Sequence, residues 1–192
     1  MPTLTAVPLL AALMLHVPPA KTSDPPRGPA HRTPGRWQGL VRLCTRSLLI
    51  YHAALTKWFT GEWHPSEFPG FLRNLSLSST VSLQDPSGRV YDYGDLLQTL
   101  KMVHGREPVG QEHKVDLRSI SVVDHKEHSV TVKFNEKILG TNGMLKSLIR
   151  TTAVCDRADA IASDPTSESG VVWRSFVETR IPMPTDAVRR ER

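Results

Sequence analysis

Cysteine is nearly missing from this sequence: Cys44 and Cys155 are the only two in 192 residues. Two positions so far apart supply no metal-ligand spacing. Their expected state is two buried free thiols in a reducing compartment. Long hydrophobic runs are missing too. The apolar stretch Ala6 to Val17 is too short to span a bilayer. It has the length of a signal-peptide core, but no Lys or Arg precedes it and Pro8 interrupts it. A cytoplasmic protein is therefore expected, with secretion or mitochondrial import as the alternatives. The sequon Asn74-Leu-Ser76 has meaning only under secretion.

A charge excess is missing from the body of the chain. The formal net charge is +5, of which +3 lies before Trp37 and +2 after Thr179. A nucleic-acid domain needs clustered basic residues on its folded surface. The balanced body argues against such a partner, so neither nucleic acid nor a membrane span is expected. The basic ends read as solvated tails. No glycine-rich phosphate loop or nucleophile motif occurs. His125 and His128 fall in a stretch that reads as an exposed turn. No cofactor and no metal are expected.

Proline and arginine crowd the N-terminal segment, where eight of the fifteen prolines precede Trp37. Residues 1–36 read as a disordered segment unable to bury enough surface to offset ordering entropy. From Trp37 the pattern changes. Leu40, Val41, Cys44, Leu48, Tyr51, Leu55, Trp58 and Phe59 recur at three- and four-residue spacing, an amphipathic helix that Gly61 stops. Ser66 to Arg73 suggests a short second helix carrying Phe68, Phe71 and Leu72 inward. Ser79–Leu83 and Arg89–Tyr91 read as short strands around the turn Asp85-Pro-Ser-Gly88. A third helix follows, capped by Asp92 or Asp95 and ended by Gly105.

Four longer strands are expected at 115–123, 129–139, 145–155 and 171–181, with Gly140-Thr-Asn-Gly143 as a hairpin turn. The expected class is α+β: a cone-shaped, curved antiparallel sheet packed on about three helices over residues 37–182. A basic tail, 183–192, ends the chain.

This order of elements resembles the nuclear-transport-factor-two-like superfamily. SnoaL-like polyketide cyclases, ketosteroid isomerase, scytalone dehydratase, limonene epoxide hydrolase and many small uncharacterised proteins share that fold. Within it, the later strands are similar to those of uncharacterised SnoaL-like proteins. Phe134-Asn-Glu136, Arg150-Thr-Thr152 and Trp173-Arg-Ser-Phe-Val-Glu178-Thr179 carry the likeness. The family pattern has histidines where this chain has Ser175 and Val177. That departure removes acid–base groups the resemblance would otherwise imply. The resemblance implies a pocket within the sheet's curve.

Side chains alternate along a strand, so Val130, Val132, Phe134 and Glu136 share one face, directed into the cone. A carboxyl at the end of an apolar row has its pKa raised if unpaired, which suits acid–base work. The structural alternative, and the expected one, is an ion pair between Glu136 and Arg150. Arg150 could instead clamp an anionic ligand. Catalytic candidates are Glu136 and Asp92. Ligand-binding candidates are Tyr51, Phe134, Arg150, Trp173 and Ser175, with Trp173 also read as core. Three functions are carried forward. The first is a small-ligand-binding or association module, non-catalytic and working as a homodimer, with a small apolar ligand. The second is a cofactor-free isomerase, cyclase or dehydratase acting on a small apolar oxygenated molecule. The third is an accessory subunit of a larger assembly.

Overall fold

The computed structural model describes residues 36–160 and 169–183. All belong to one compact unit, Pro34–Arg192. The expectations for the N-terminal segment and for most of the basic tail lie outside the described residues.

The first helix, α1 (Arg36–Phe59), is the one read from the apolar spacing. Leu40, Cys44, Leu48, Tyr51, Leu55 and Trp58 are buried along one face, while Arg42, Arg46 and Lys57 are exposed. Gly61 ends the turn after α1 at φ +73°, and a Cβ there would lie 3.2 Å from the Cα of Gly105. A side chain at Gly61 therefore meets both backbone strain and a collision with the loop after the third helix. A 3-10 turn (Pro65–Glu67) leads into α2 (Phe68–Leu75), whose Phe71 stacks on Trp58 with ring centroids 4.6 Å apart. Burying an aromatic side chain of this kind contributes about 1.5–3 kcal/mol.

Two short strands, β1 (Leu77–Gln84) and β2 (Val90–Tyr91), precede α3 (Tyr93–Met102). Asp92 caps α3, accepting a hydrogen bond from the Asp95 N–H at 2.8 Å. Replacing it with alanine is expected to lower stability by about 1 kcal/mol, read as a shift in the urea midpoint. The Trp58 indole N–H donates to the Leu100 carbonyl at 2.7 Å, tying α1 to α3.

The long strands are β3 (Glu112–His125), β4 (Ser129–Leu139), β5 (Leu145–Arg157) and β6 (Val171–Arg180). With the short ones they form one sheet in the order β2-β1-β6-β5-β4-β3. The α+β cone with three α-helices is thus present, with one refinement. The sheet is mixed, because β1 runs parallel to β6. A parallel pair needs a long crossover between its strands, and everything from β2 to β5 supplies it.

The cysteines depart from expectation. Cys44 on α1 and Cys155 on β5 form a disulfide across the core, not two free thiols. Both are buried, at 1% and 0% exposure. Sequence spacing could not pair them, because the helix-to-sheet packing that joins them is tertiary.

Candidate functional site

A cavity of about 260 Å³ opens between α1, α3 and the sheet. Its walls are largely apolar: Leu55, Phe59, Leu83, Leu96, Phe134 and Phe176 line it. Polar groups converge on it from separate elements. Tyr51 and His52 come from α1, His113 from β3, Glu136 from β4, Thr151 from β5 and Glu178 from β6.

Strand register explains the convergence. Phe134 faces Thr151 across β4 and β5, and Thr151 faces Glu178 across β5 and β6. Residues directly opposite in antiparallel strands point to the same side, so the three form a row along the cavity wall. Glu178 reaches this row because β6 carries a bulge. Val154 pairs with Ser175 and Cys155 with Trp173, leaving Arg174 as the extra residue. Without the bulge, Trp173, Ser175, Val177 and Thr179 would share a face. With it, Phe176 turns inward, Glu178 joins the cavity wall, and Val177 is 45% exposed.

Glu136 lines the cavity and is buried, at 7% exposure. Its partner is not Arg150. His113 Nδ1 lies 3.2 Å from Glu136 Oε1, and His52 Nε2 lies 3.3 Å from Oε2. Arg150 sits opposite Asn135 on the outer face, where its Nε bonds the Asn135 side chain at 3.5 Å. The expected ion pair therefore fails on parity: Glu136 is opposite Ile149, and Arg150, one residue on, points the other way.

The two carboxyls are driven in opposite directions. Burial alone would raise the Glu136 pKa, but its surroundings, the His113 hydrogen bond foremost, bring it below the ordinary 4.5. Glu178 has no hydrogen-bond or ion-pair partner among the described residues. Burial first, then the charges of Glu136 and Asp85, push it up to about 7. Burial, with Glu178 and Glu136 adding to it, also raises the Tyr51 pKa, so its phenol stays protonated. The Tyr51 hydroxyl has no partner among the described residues. The buried Thr151 hydroxyl is likewise unpartnered. Unmatched polar groups on an apolar wall suit a bound molecule with one or two oxygen functions.

The residues anticipated from sequence divide accordingly. Tyr51, Phe134 and Glu136 line the cavity together. Trp173 is core, its indole N–H donating to Ser47 Oγ at 3.1 Å. Arg150 and Ser175 do not line the cavity, and Asp92 is an exposed cap. His52, His113, Thr151 and Glu178 were not anticipated. His52 could have been found, since it falls four residues after Leu48 and three before Leu55 on the apolar face of α1. Glu178 could not, because the bulge that turns it inward has no signature such as a glycine. Among the described residues no cluster of three or more His, Cys, Asp or Glu could hold a metal ion. Nor, among them, is any helix long and apolar enough to cross a membrane.

Comparison with known proteins identifies the fold. No family model and no curated protein matches the sequence. Solved structures do match. An NTF-2 like protein of unknown function from Pseudomonas aeruginosa superposes with a TM-score of 0.60 at 21% identity, covering 73% of this chain and 99% of its own. A Catenulispora acidiphila protein, solved in complex with S-DNPA, gives 0.53 at 13% identity, covering 74% of this chain and 94% of its own. ActVI-ORFA from Streptomyces coelicolor gives 0.50 at 13% identity, with 74% and 97% covered.

Proposed function

We propose, with the NTF-2-like fold as premise, that the cavity binds a small, largely apolar oxygenated molecule and exchanges a proton with it without a cofactor. The observation that carries this reading is the pair of carboxyls lining one apolar cavity, Glu136 bonded to His113 and Glu178 without a partner among the described residues. Glu136 is held ionised by its hydrogen bond to His113, while Glu178, unpartnered, titrates near neutrality. Such a split is how one site supplies both a stable negative charge and an acid–base group. Glu178 would take up or return the proton. Tyr51, a protonated phenol with a free hydroxyl, would donate to an oxygen that gains charge. That a protein of the same fold was solved in complex with S-DNPA supports a ligand-binding reading.

This reading replaces Asp92 with Glu178 as the carboxyl that meets the ligand and makes Glu136 the resting anion of the site. A non-catalytic binding module uses the same cavity but has no need of a carboxyl that titrates near 7. The disulfide supports an oxidising compartment over the cytoplasm.

The test is a carbon-13 NMR titration of the Glu178 carboxyl, together with stability measured against pH. The native Glu178 pKa of about 7 exceeds its ordinary 4.5, so the folded chain binds more protons than the unfolded one between those values. Stability should therefore fall as pH rises through that window. Glu178→Gln removes the fall and should be more stable than the wild type at pH 8 by about 2 kcal/mol, after allowing for solvent screening. At pH 4 the two should agree. A Glu178 carboxyl that titrates at an ordinary value would end the proton-exchange reading and leave a binding cavity.

A further inference from the structure

The wall between this cavity and solvent carries more ionisable chemistry than binding requires. Four side chains stand in line. Glu107 Oε2 lies 2.8 Å from His113 Nε2. His113 Nδ1 lies 3.2 Å from Glu136 Oε1, and Glu136 Oε2 lies 3.3 Å from His52 Nε2. The Glu107 side chain is 25% exposed, whereas that of His52 is 4% exposed. The line therefore runs from solvent into the interior. On the far side of the wall, a groove of about 430 Å³ between α1 and β3 is also lined by His52 and His113. The two imidazoles are the partition between cavity and groove.

The protons on this line can be assigned by donor and acceptor. His52 Nδ1 lies 3.2 Å from the Leu48 carbonyl, which can only accept, so Nδ1 carries the hydrogen. His52 Nε2 then offers a lone pair toward Glu136, and it is buried with no hydrogen-bond partner. His113 meets a carboxylate at each ring nitrogen, and only the imidazolium satisfies both. The backbone holds it there: the His113 N–H donates to Thr56 Oγ1 at 2.9 Å, and the Glu107 N–H to the Phe59 carbonyl at 2.9 Å.

We propose that Glu107, His113, Glu136 and His52 form a proton relay through the cavity wall, serving the acid–base site inferred above and resting on that reading. A proton leaving the cavity enters the gap between His52 Nε2 and Glu136 Oε2. The carboxylate it neutralises no longer holds the His113 imidazolium, which releases its Nε2 proton to Glu107 Oε2 and from there to water. The return is the reverse. One proton enters as one leaves, and no bond other than those to hydrogen changes. Burial would by itself lower the His113 pKa, but the hydrogen bonds and charges of Glu136 and Glu107 outweigh it and raise it. Burial lowers that of His52, which keeps Nε2 open as an acceptor. The other charged or titratable groups facing the line are Tyr51, Asp85, Tyr91 and Glu178 on the cavity side. Lys57, Glu62, Glu112 and Lys114 face it on the groove side.

Glu107 touches no cavity atom, so it is a positioning and exit residue, and it makes the cleanest test. Nitrogen-15 histidine NMR on the full chain reads each ring nitrogen and the exchange of its hydrogen with water. At neutral pH, His113 is expected to carry hydrogen on both nitrogens and His52 on Nδ1. In Glu107→Gln the His113 pKa should fall by about one to two pH units, and exchange of its ring hydrogens should slow. Glu107→Asp keeps the charge but withdraws the oxygen, and its exchange should slow as well. A purely structural cluster would leave exchange unchanged in both variants, and that result, or a singly protonated His113 in the wild type, overturns the relay. The Glu178 carboxyl is read from its own carbon resonance in the same sample. An ordinary Glu178 beside an intact histidine signature would sink the acid–base site, while a shifted Glu178 beside a neutral His113 would sink the relay alone.

Discussion

Removing the Cys44–Cys155 disulfide is expected to lower stability by about 4 kcal/mol. The bond closes a loop with a sequence separation of 111 residues. In the chain-entropy view, a loop that long constrains the unfolded ensemble strongly, and the cost of closing it grows only slowly with length. Both sulfurs lie in the core, so the double replacement Cys44→Ala and Cys155→Ala leaves apolar surroundings that tolerate the change, and the loss is chiefly that of the cross-link. Against a typical total of about 5–15 kcal/mol, this decides whether the domain stays folded at elevated temperature. The measurement is urea unfolding with and without reductant, beside the double variant. The reduced wild type and the variant should share a midpoint well below that of the oxidised chain. Thiols that react freely in the denatured, unreduced protein would show that the pair does not form.

Glu136→Leu is expected to be comparably damaging, at about 3–5 kcal/mol near pH 6. Leucine fills similar volume, so the cost is electrostatic. It strands His113, a buried imidazolium that keeps only Glu107, and leaves His52 Nε2 facing nothing polar. The pH dependence has a definite sign. The Glu136 pKa is lowered on folding, so its contribution is complete above its unfolded value of 4.5 and is lost as pH falls through the native one. The His113 pKa is raised, so its contribution is complete below 6.5 and is lost as pH rises through the native value. The difference between wild type and Glu136→Leu should be greatest between about pH 4.5 and 6.5 and narrow on either side. Adding His113→Leu to Glu136→Leu removes the stranded charge, and the double variant should be more stable than the single. Equal pH profiles for wild type and single variant would show that the pair contributes nothing.

Most of the architecture was legible in the residues. Apolar spacing placed α1, alternation placed β4 with Val130, Val132, Phe134 and Glu136 on one face, and Asp92 marked the start of α3. These are local properties: periodicity and capping act within a few residues, and the fold preserves them. The site was half legible. Tyr51, Phe134 and Glu136 line the cavity because alternation and helical spacing do say which side a residue faces. The partners did not follow, because a partner depends on the neighbouring strand's register. Arg150 missed Glu136 by one residue of parity, and Glu178 entered through a bulge at Arg174.

The sequence by itself determined the α+β order, the buried face of each long element and the inward carboxyl of Glu136. Only the tertiary structure decided the disulfide, the two histidines around Glu136 and the unpartnered Glu178. The physical reason is separation along the chain. Patterns of burial are written in neighbours two to four residues apart. Cys44 meets Cys155, and His52 meets Glu136, only when a helix from the first third of the chain lies down on strands from the last.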